Sequence, residues 1–384
     1  MSGPLEGLRV VELAEGWAGP YCGMSFGDLG ADVIKVEPTD GDFTRELGPP
    51  FVGETAALFW SLNRNKRGVT ADLETPDGVE LVRRLAEWAD VLIDDRPPGR
   101  AAELGIGYDT LSSLNPRLVS VTANRFGSEG PWADRAAEEL EVQGASILTS
   151  FLGGKGEPPV RNGSDVVGIN GGQAMFQAAL AALIARDETG QGDHIDISLL
   201  AVQLAVGSVM LSALDHPDRW VGFHTSARGN EPDYGFQTAD DPFYFGAPMQ
   251  KDEDWVALCK AIEAPDLAVD PRFSTRASRT PRTPELKPII EQVFMRFPLQ
   301  DLMKRINENG GIAVEINDHK TLFEHEQVLA NGMKMTIPMQ DGTQIDCFGM
   351  PWEFTATPAT IRLPPPRLGE HTREVSTELG LKEN

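Results

Sequence analysis

The chain has 384 residues, 41% hydrophobic and 24% charged, a globular composition too long for one hydrophobic core, so two lobes are expected. Asp and Glu number 58 against 34 Lys and Arg, and the net charge of −24 argues against nucleic acid and against an anionic membrane as partners. Three scattered cysteines, Cys22, Cys259 and Cys347, form no C-x-x-C pair, which excludes zinc ribbons and thioredoxin-type chemistry and suits a reducing compartment. No signal-peptide pattern opens the chain and no apolar run is long enough to span a bilayer, so a cytoplasmic location is expected.

In chain order, Leu8–Leu13 is β-branched and predicts a strand, broken by Gly16-Trp-Ala-Gly-Pro20. Tyr21–Leu29 predicts a helix and Val33–Val36 a second strand, together one βαβ unit and hence a parallel sheet with right-handed crossovers. Val69–Leu73 predicts the next strand. The helix after it starts at Thr75-Pro-Asp-Gly78, with Thr at the N-cap and Pro at the first helical position, and runs to Ala89. Strands follow at Val91–Ile93 and Arg117–Val121, and the sheet is expected to be complete near residue 125. Val142–Leu148 and Gly172–Arg186 read as helices, the second apolar nearly all round and so fully buried, and His194–Leu199 alternates as a strand. Pro217–Pro232 is loop-rich. Beyond it a second lobe is expected, with a short strand near Phe243, helices at Asp254–Ile262, Pro284–Phe297 and Leu299–Asn307, and then a helical Lys320–Asn331 and a strand at Met335–Ile337.

No single motif decides the chemistry. Gly27-Asp-Leu-Gly30 is not a dinucleotide fingerprint, and there is no P-loop. Two glycine clusters, Gly153-Gly154-Lys-Gly156 and Gly163 with Gly168-Ile-Asn-Gly171-Gly172, allow two readings: substrate approach to a helix N-terminus, or close packing and a plain turn. The six histidines, 194, 216, 224, 319, 325 and 371, lack metal-ligand spacing, so no metal site is expected. Asn63-Arg-Asn-Lys-Arg67 is a basic knot in an acidic chain, either a solvated loop or, at a strand edge, a receiver for an anion.

As a set, Leu5-Glu-Gly-Leu-Arg-Val-Val-Glu-Leu13, Ala18-Gly-Pro20 and Leu29-Gly-Ala-Asp-Val-Ile-Lys-Val-Glu-Pro38 resemble the family III (CaiB/BaiF) CoA-transferases. Asn65-Lys-Arg67, Leu114-Asn-Pro-Arg-Leu-Val119, the run from Ala182 to Leu199, Pro265–Phe273 and Pro366–Thr372 agree in the right order. The resemblance implies an α/β fold: a Rossmann-like large domain formed by both chain ends plus a smaller α/β domain, in an interlocked-ring dimer. On this chain it divides as 1–216 for the first part of the large domain, 217–233 for a linker, 234–318 for the small domain and 319–384 for the return segment. It also implies a coenzyme A thioester as substrate, no covalently bound cofactor, and an Asp nucleophile whose carboxylate attacks the thioester, backed by backbone N–H donors.

The resemblance also shows departures. Aligned on Gly163 and Gly172, Gly168 occupies the family's Asp position, and Asp165, three residues earlier, is the fallback nucleophile. Pro38 follows Glu37 where the family often has a base, the family's Glu-Asn-Phe becomes Asp94-Asp95-Arg96, and its Glu-Arg-Leu-Gly becomes Ala102-Glu103-Leu104-Gly105. Like charges there disfavour phosphates. Glu138-Glu139 replaces the pair that the racemase branch requires. Ala18, Gly19, Asn65, Lys66 and Arg96 remain as a weak or vestigial CoA site. The expected function is therefore the non-catalytic subunit of a heteromeric transferase, moving CoA from an acyl-CoA to a carboxylic acid beside a second subunit that carries the Asp. The transferase that activates benzylsuccinate with succinyl-CoA has this two-subunit plan. A self-sufficient transferase using Asp165 and a non-enzymatic acyl-CoA or carboxylate binder are the alternatives. Trp17, Phe26, Trp60 and Trp132 either line an apolar acyl site or belong to the core.

Overall fold

A computed structural model describes residues 3–146, 148–151, 158–207, 235–240, 244–245, 251–311, 313–338 and 344–381. The chain divides into two compact units: Met1–Thr149, Arg161–Val209 and Leu329–Asn384 form the first, Ser150–Val160 and Met210–Val328 the second. The 217–233 linker, His216, His224, the Gly153–Gly156 cluster and Phe243 lie outside the described residues.

The first unit is built on β1 (Arg9–Glu12), α1 (Ala18–Asp28), β2 (Asp32–Glu37), β3 (Lys66–Thr70), α2 (Pro76–Trp88), β4 (Val91–Asp94), β5 (Val119–Asn124), α3 (Glu139–Ala145), α4 (Val166–Thr189), β6 (His194–Ser198) and α5 (Leu199–Val206). The strands form one parallel sheet in the order β3-β2-β1-β4-β5-β6. Successive side chains point to opposite faces, and both faces are covered. Val10, Val33, Ile93 and Val121 meet Cys22 and Phe26 of α1 and Met175 and Ala179 of α4 on one side. Val11, Ile34, Val69 and Leu92 meet Leu81, Val82 and Leu85 of α2 on the other.

Three expectations are corrected. The sheet does not end near residue 125: β6 adds a sixth parallel strand, Val121 opposite Ile195, after the crossover through α4. The strand expected at Val69–Leu73 begins at Lys66, because Lys66, although charged, points inward against a buried carboxylate. The helix after it starts as expected, with Thr75 Oγ1 accepting from the Gly78 N–H at 3.2 Å. Third, α4 begins at Val166 rather than Gly172, so Gly168, Gly171 and Gly172 of the second glycine cluster lie inside the helix and Gly163 ahead of it. Its glycines serve close packing. A Cβ on Gly172 would lie 2.5 Å from the Ala18 carbonyl oxygen, and one on Gly171 2.3 Å from Leu199 Cδ2. At 24 residues α4 is long and apolar enough to cross a membrane; half of its most apolar 18-residue stretch is buried in the fold, and with Ile184 69% exposed it is not the fully buried helix expected.

The C-terminal segment returns to the free edge of β3. Asn65 N–H donates to Leu363 O at 3.0 Å, and His371 N–H to Gly68 O at 2.8 Å. The second unit has its own core, in which Trp255, Leu258, Ile290, Phe294, Leu302 and Ile306 pack from helices Asp252–Ala261, Thr283–Phe294 and Leu299–Glu308. The helix expected over Lys320–Asn331 is two short ones, His319–Leu322 and Glu326–Ala330. Lys334–Pro338 pairs antiparallel with Gln344–Phe348.

Candidate active site

In a doubly wound sheet the chain leaves β1 in one direction to β2 and β3 and in the other to β4, β5 and β6. Ligands collect at such a switch point, beyond the carboxyl ends of the two central strands. The loops after β1 and β4 meet there, and Asp95 Oδ1 accepts the Glu15 N–H at 3.1 Å. Two cavities flank this contact, and Glu15 borders both.

The larger, about 500 Å³, is walled by the β1–α1 loop (Glu15 to Ala18), Phe43 and Leu47, Asp95, Arg125, α3 and the start of α4. Its floor holds the residues in question. Gly168 lies in the first turn of α4, and a Cβ there would sit 2.5 Å from Trp17 Cβ. Asp165 precedes the helix as its N-cap residue; its Oδ2 accepts the Trp17 indole N–H at 2.9 Å and its Oδ1 lies 3.8 Å from Arg161. The backbone donors that open α4 are already taken. Glu139 accepts from the Val167 N–H at 2.9 Å, the Gly168 N–H at 3.0 Å and the Gln143 amide at 2.8 Å. A carboxylate at a helix N-terminus satisfies orphan N–H groups and meets the positive end of the helix dipole.

Two carboxyl groups in this cavity are perturbed. Burial, and then the neighbouring Asp94 charge, push Asp95 up to about 7, against the opposing pull of Arg125 and the Glu15 N–H. Burial and the Asp42 charge raise Glu15, against Lys35.

The smaller cavity, about 340 Å³, lies beyond the ends of β2, β3 and β4 and is lined by Pro38, Asp40, Asp72, Glu74, Arg96 and Arg100, among others. Its cations are spent locally. Arg96 Nη2 donates to Asp94 Oδ2 at 3.0 Å, and Arg100 is paired with both Glu74 and Glu103. Carboxylates thus dominate where a polyphosphate would need cations.

The structure separates the expected CoA contacts. Ala18 lines the larger cavity; Gly19 beside it is buried, and a Cβ there would fall 2.1 Å from Ala14 Cβ, so it serves the turn from β1 into α1. Arg96 lines the smaller cavity. Asn65 and Lys66 are turned into the fold. Asn65, at φ 60°, donates to Asp28 of α1 and Thr360 O and accepts the N–H groups of Arg362 and Leu363, so its amide ties α1 to the returning C-terminal segment. Lys66 has no exposed surface. It pairs with Glu12 at 2.7 Å and donates to Pro20 O at 2.9 Å and Asn63 Oδ1 at 2.8 Å. The basic knot is therefore a structural clamp, its Arg64 held by Asp28 at 2.7 Å. Of the aromatic residues, Trp17 borders the larger cavity, Phe26 is core, Trp60 is half-buried, and Trp132 is 41% exposed beneath Arg135. Among the described residues no cluster of His, Cys, Asp or Glu could hold a metal ion.

Three cavity residues were missed in the sequence. Arg125 is the first residue after β5 and could have been found from the rule that ligands gather at strand C-termini. Arg161 and the clamp by Glu139 carry no local signal, because their partners are fixed only by the tertiary fold.

The profile of CoA-transferase family III matches residues 5–372. The chain belongs to CoA-transferase family III. It is 37% identical to a succinate–glutarate CoA-transferase of Agrobacterium fabrum over 386 residues, 98% of this chain and 96% of that one. It is 32% identical to a succinyl-CoA:glutarate CoA-transferase of Mus musculus over 381 residues, 98% of this chain and 86% of the other. Among solved structures, a CAIB/BAIF family protein of Brucella suis superposes with a TM-score of 0.91 at 33% identity, covering 99% of this chain and all of that one.

Proposed function

We propose that this family III CoA-transferase chain is the non-catalytic subunit of a heteromeric enzyme, in which a second family III chain supplies the attacking Asp. One observation carries the reading. At Gly168 the backbone runs so close to Trp17 that even a Cβ would fall 2.5 Å from the Trp17 Cβ. The position where the resemblance puts the nucleophile lacks a carboxylate and also lacks the space for one. The carboxylate-rich smaller cavity supports weak CoA binding by this chain alone, with Ala18 and Arg96 as its remaining contacts. Interlocked rings would let each chain complete the other's surface. In the complex, the partner's Asp carboxylate attacks the acyl-CoA carbonyl and expels CoA thiolate. The thiolate then converts the resulting anhydride to an enzyme thioester and releases the donor acid; the acceptor carboxylate attacks that thioester, expelling thiolate and forming a second anhydride, which the thiolate cleaves at the acceptor's acyl carbon to give the new acyl-CoA and the free Asp.

A second reading is a self-sufficient transferase using Asp165, favoured by its place on the cavity floor with the Trp17 indole and Arg161 beside it. Glutarate and succinyl-CoA, the substrates named for the relatives, are the first pair to try. Thioester exchange is to be measured for the purified chain, for a second family III chain that keeps the Asp, and for the two together. The proposal expects exchange that depends on co-assembly and survives Asp165→Asn. Turnover by the isolated chain that Asp165→Asn abolishes would overturn it in favour of the second reading. Binding of an acyl-CoA or an acid with no exchange in any mixture would leave the non-enzymatic binder.

A further inference from the structure

We infer that Asp95 is a specificity-determining residue of the larger cavity: it receives a ligand's carboxyl group as a proton-sharing acid pair, with Arg125 balancing the remaining charge. The inference rests on the proposed reading that this chain takes part in moving CoA to a carboxylic acid, and it seats that acid in the larger cavity.

Asp95 stands at the carboxyl end of β4, on the switch-point side of the cavity. Its Oδ1 is used by the Glu15 N–H at 3.1 Å, and among the described residues no donor reaches Oδ2. The side chain is enclosed by protein yet keeps surface on the cavity. Arg125 lies beside it, with Nε donating to Ala137 O at 3.2 Å and Nη1 to Asp95's own carbonyl at 3.5 Å. Both acceptors are carbonyls, and among the described residues no carboxylate pairs with Arg125. The cavity's other arginine, Arg161, already faces Asp165. One cation without a counter-ion thus stands next to one carboxyl oxygen without a donor.

Two carboxyl groups within hydrogen-bond distance do not both ionise. A carboxylate seated against Asp95 Oδ2 therefore needs one proton between the pair, taken from solvent, and Arg125 neutralises the charge that is left. The surroundings reinforce this. Asp94 on β4, Glu15 on the β1–α1 loop, Glu138, Glu139 and Glu141 at α3 and Asp165 before α4 are all acidic, with Lys35 of β2, Arg125 and Arg161 opposing them. Glu15 is the rival proton carrier, since its carboxyl is also raised.

The test is titration calorimetry of the full chain with glutarate and with butyrate, from about pH 6 to about pH 9, in buffers of different ionisation enthalpy. It uses neither a thioester nor a second chain, so its failure is separate from failure of the transferase reading. The expected result is a Kd that rises about tenfold per pH unit above neutrality, with about one proton taken up per ligand at the alkaline end. Asp95→Asn, which keeps a donor but cannot titrate, is expected to flatten the profile and to bind tighter than the wild type at high pH. Arg125→Gln is expected to weaken binding by about tenfold while keeping the slope. A pH-independent wild type, a slope that survives Asp95→Asn, a slope lost only in Glu15→Gln, unchanged affinity in Arg125→Gln, or no binding of either acid would each overturn the inference.

Discussion

Glu12 and Glu15 are three residues apart, at the end of one strand and in the loop after it, and their surroundings are opposite. Glu12 has no exposed surface and lies between two equally buried ammonium groups, Lys35 at 3.0 Å and Lys66 at 2.7 Å. Lys35 also pairs with Asp42 at 2.9 Å, and Glu37 with Arg45 at 2.7 Å. Every charge in this cluster has an opposite beside it, and the cluster joins β1, β2, β3 and the loop after β2. Even Gly23 is shaped by it, since a Cβ there would lie 1.9 Å from Glu12 Oε2. Glu15 faces a cavity with Asp95 as its neighbour and no dedicated cation. The same residue type is structural in one place and left with unused capacity in the other. Only the second arrangement has anything to offer a ligand.

The largest expected effect tests that contrast directly. Glu12→Gln leaves buried Lys66 without its carboxylate and beside Lys35, which keeps Asp42, and unpaired buried charge costs about 3–5 kcal/mol. Glu15→Gln removes a carboxyl that burial and Asp42 already disfavour in its ionised form, so it is expected to be neutral or stabilising above neutral pH. Urea unfolding of both variants checks the difference. Equal losses would mean that the two glutamates play the same role.

Next in size is the contact of α4 on α1. Gly172→Ala puts a methyl group 2.5 Å from a backbone oxygen and 2.8 Å from Tyr21 Cβ, neither of which can swing away. Gly171→Ala meets only the tip of Leu199, which can change rotamer. The first is expected to cost about 2–3 kcal/mol and the second less than about 1 kcal/mol. Thermal unfolding of the pair would show the order, and a reversed order would put the cluster back in a turn. Gly168→Asp is expected to behave like Gly172→Ala in stability and to gain little or no transferase activity in the isolated chain.

Those glycines also mark how far the sequence could be read. The strands of the first unit and the N-cap at Thr75 follow from β-branched runs and turn chemistry, which are local. The start of α4 does not, because a glycine run ahead of an apolar helix looks like a turn until Trp17, Ala18 and Leu199 are known to lie against it. Lys66 misleads for the same reason. A basic residue at a strand edge reads as a ligand contact, and only the register of β3 on β2 shows it meeting Glu12. That the resemblance sets Gly168 at the nucleophile's position was legible because spacing from Gly163 to Gly172 is a linear property. The occupation of that space by Trp17 was not.

A smaller effect is expected at Glu139, whose carboxylate holds the first N–H groups of α4. Glu139→Gln keeps one acceptor and loses the charge at the helix N-terminus, at a cost of about 1 kcal/mol. Glu139→Ala is expected to cost more, and a Gln variant as destabilised as the Ala one would mean that the charge alone matters.

The smallest effect carries a sign that distinguishes the cavity from the core. Asp95 is raised from 3.8 to about 7 in the folded chain, chiefly by burial and then by Asp94. Between those values the folded state binds more protons than the unfolded one, so this group's contribution to stability is present at low pH and falls as pH rises through about 7. Asn has no charge to bury. Asp95→Asn is therefore expected to stabilise the chain above neutral pH and to do nothing near pH 4. Urea midpoints for wild type and variant at both pH extremes measure it. A variant that is less stable at high pH would mean that Asp95 is held ionised by Arg125, a buried pair like those around Glu12 rather than a carboxyl left open to the cavity.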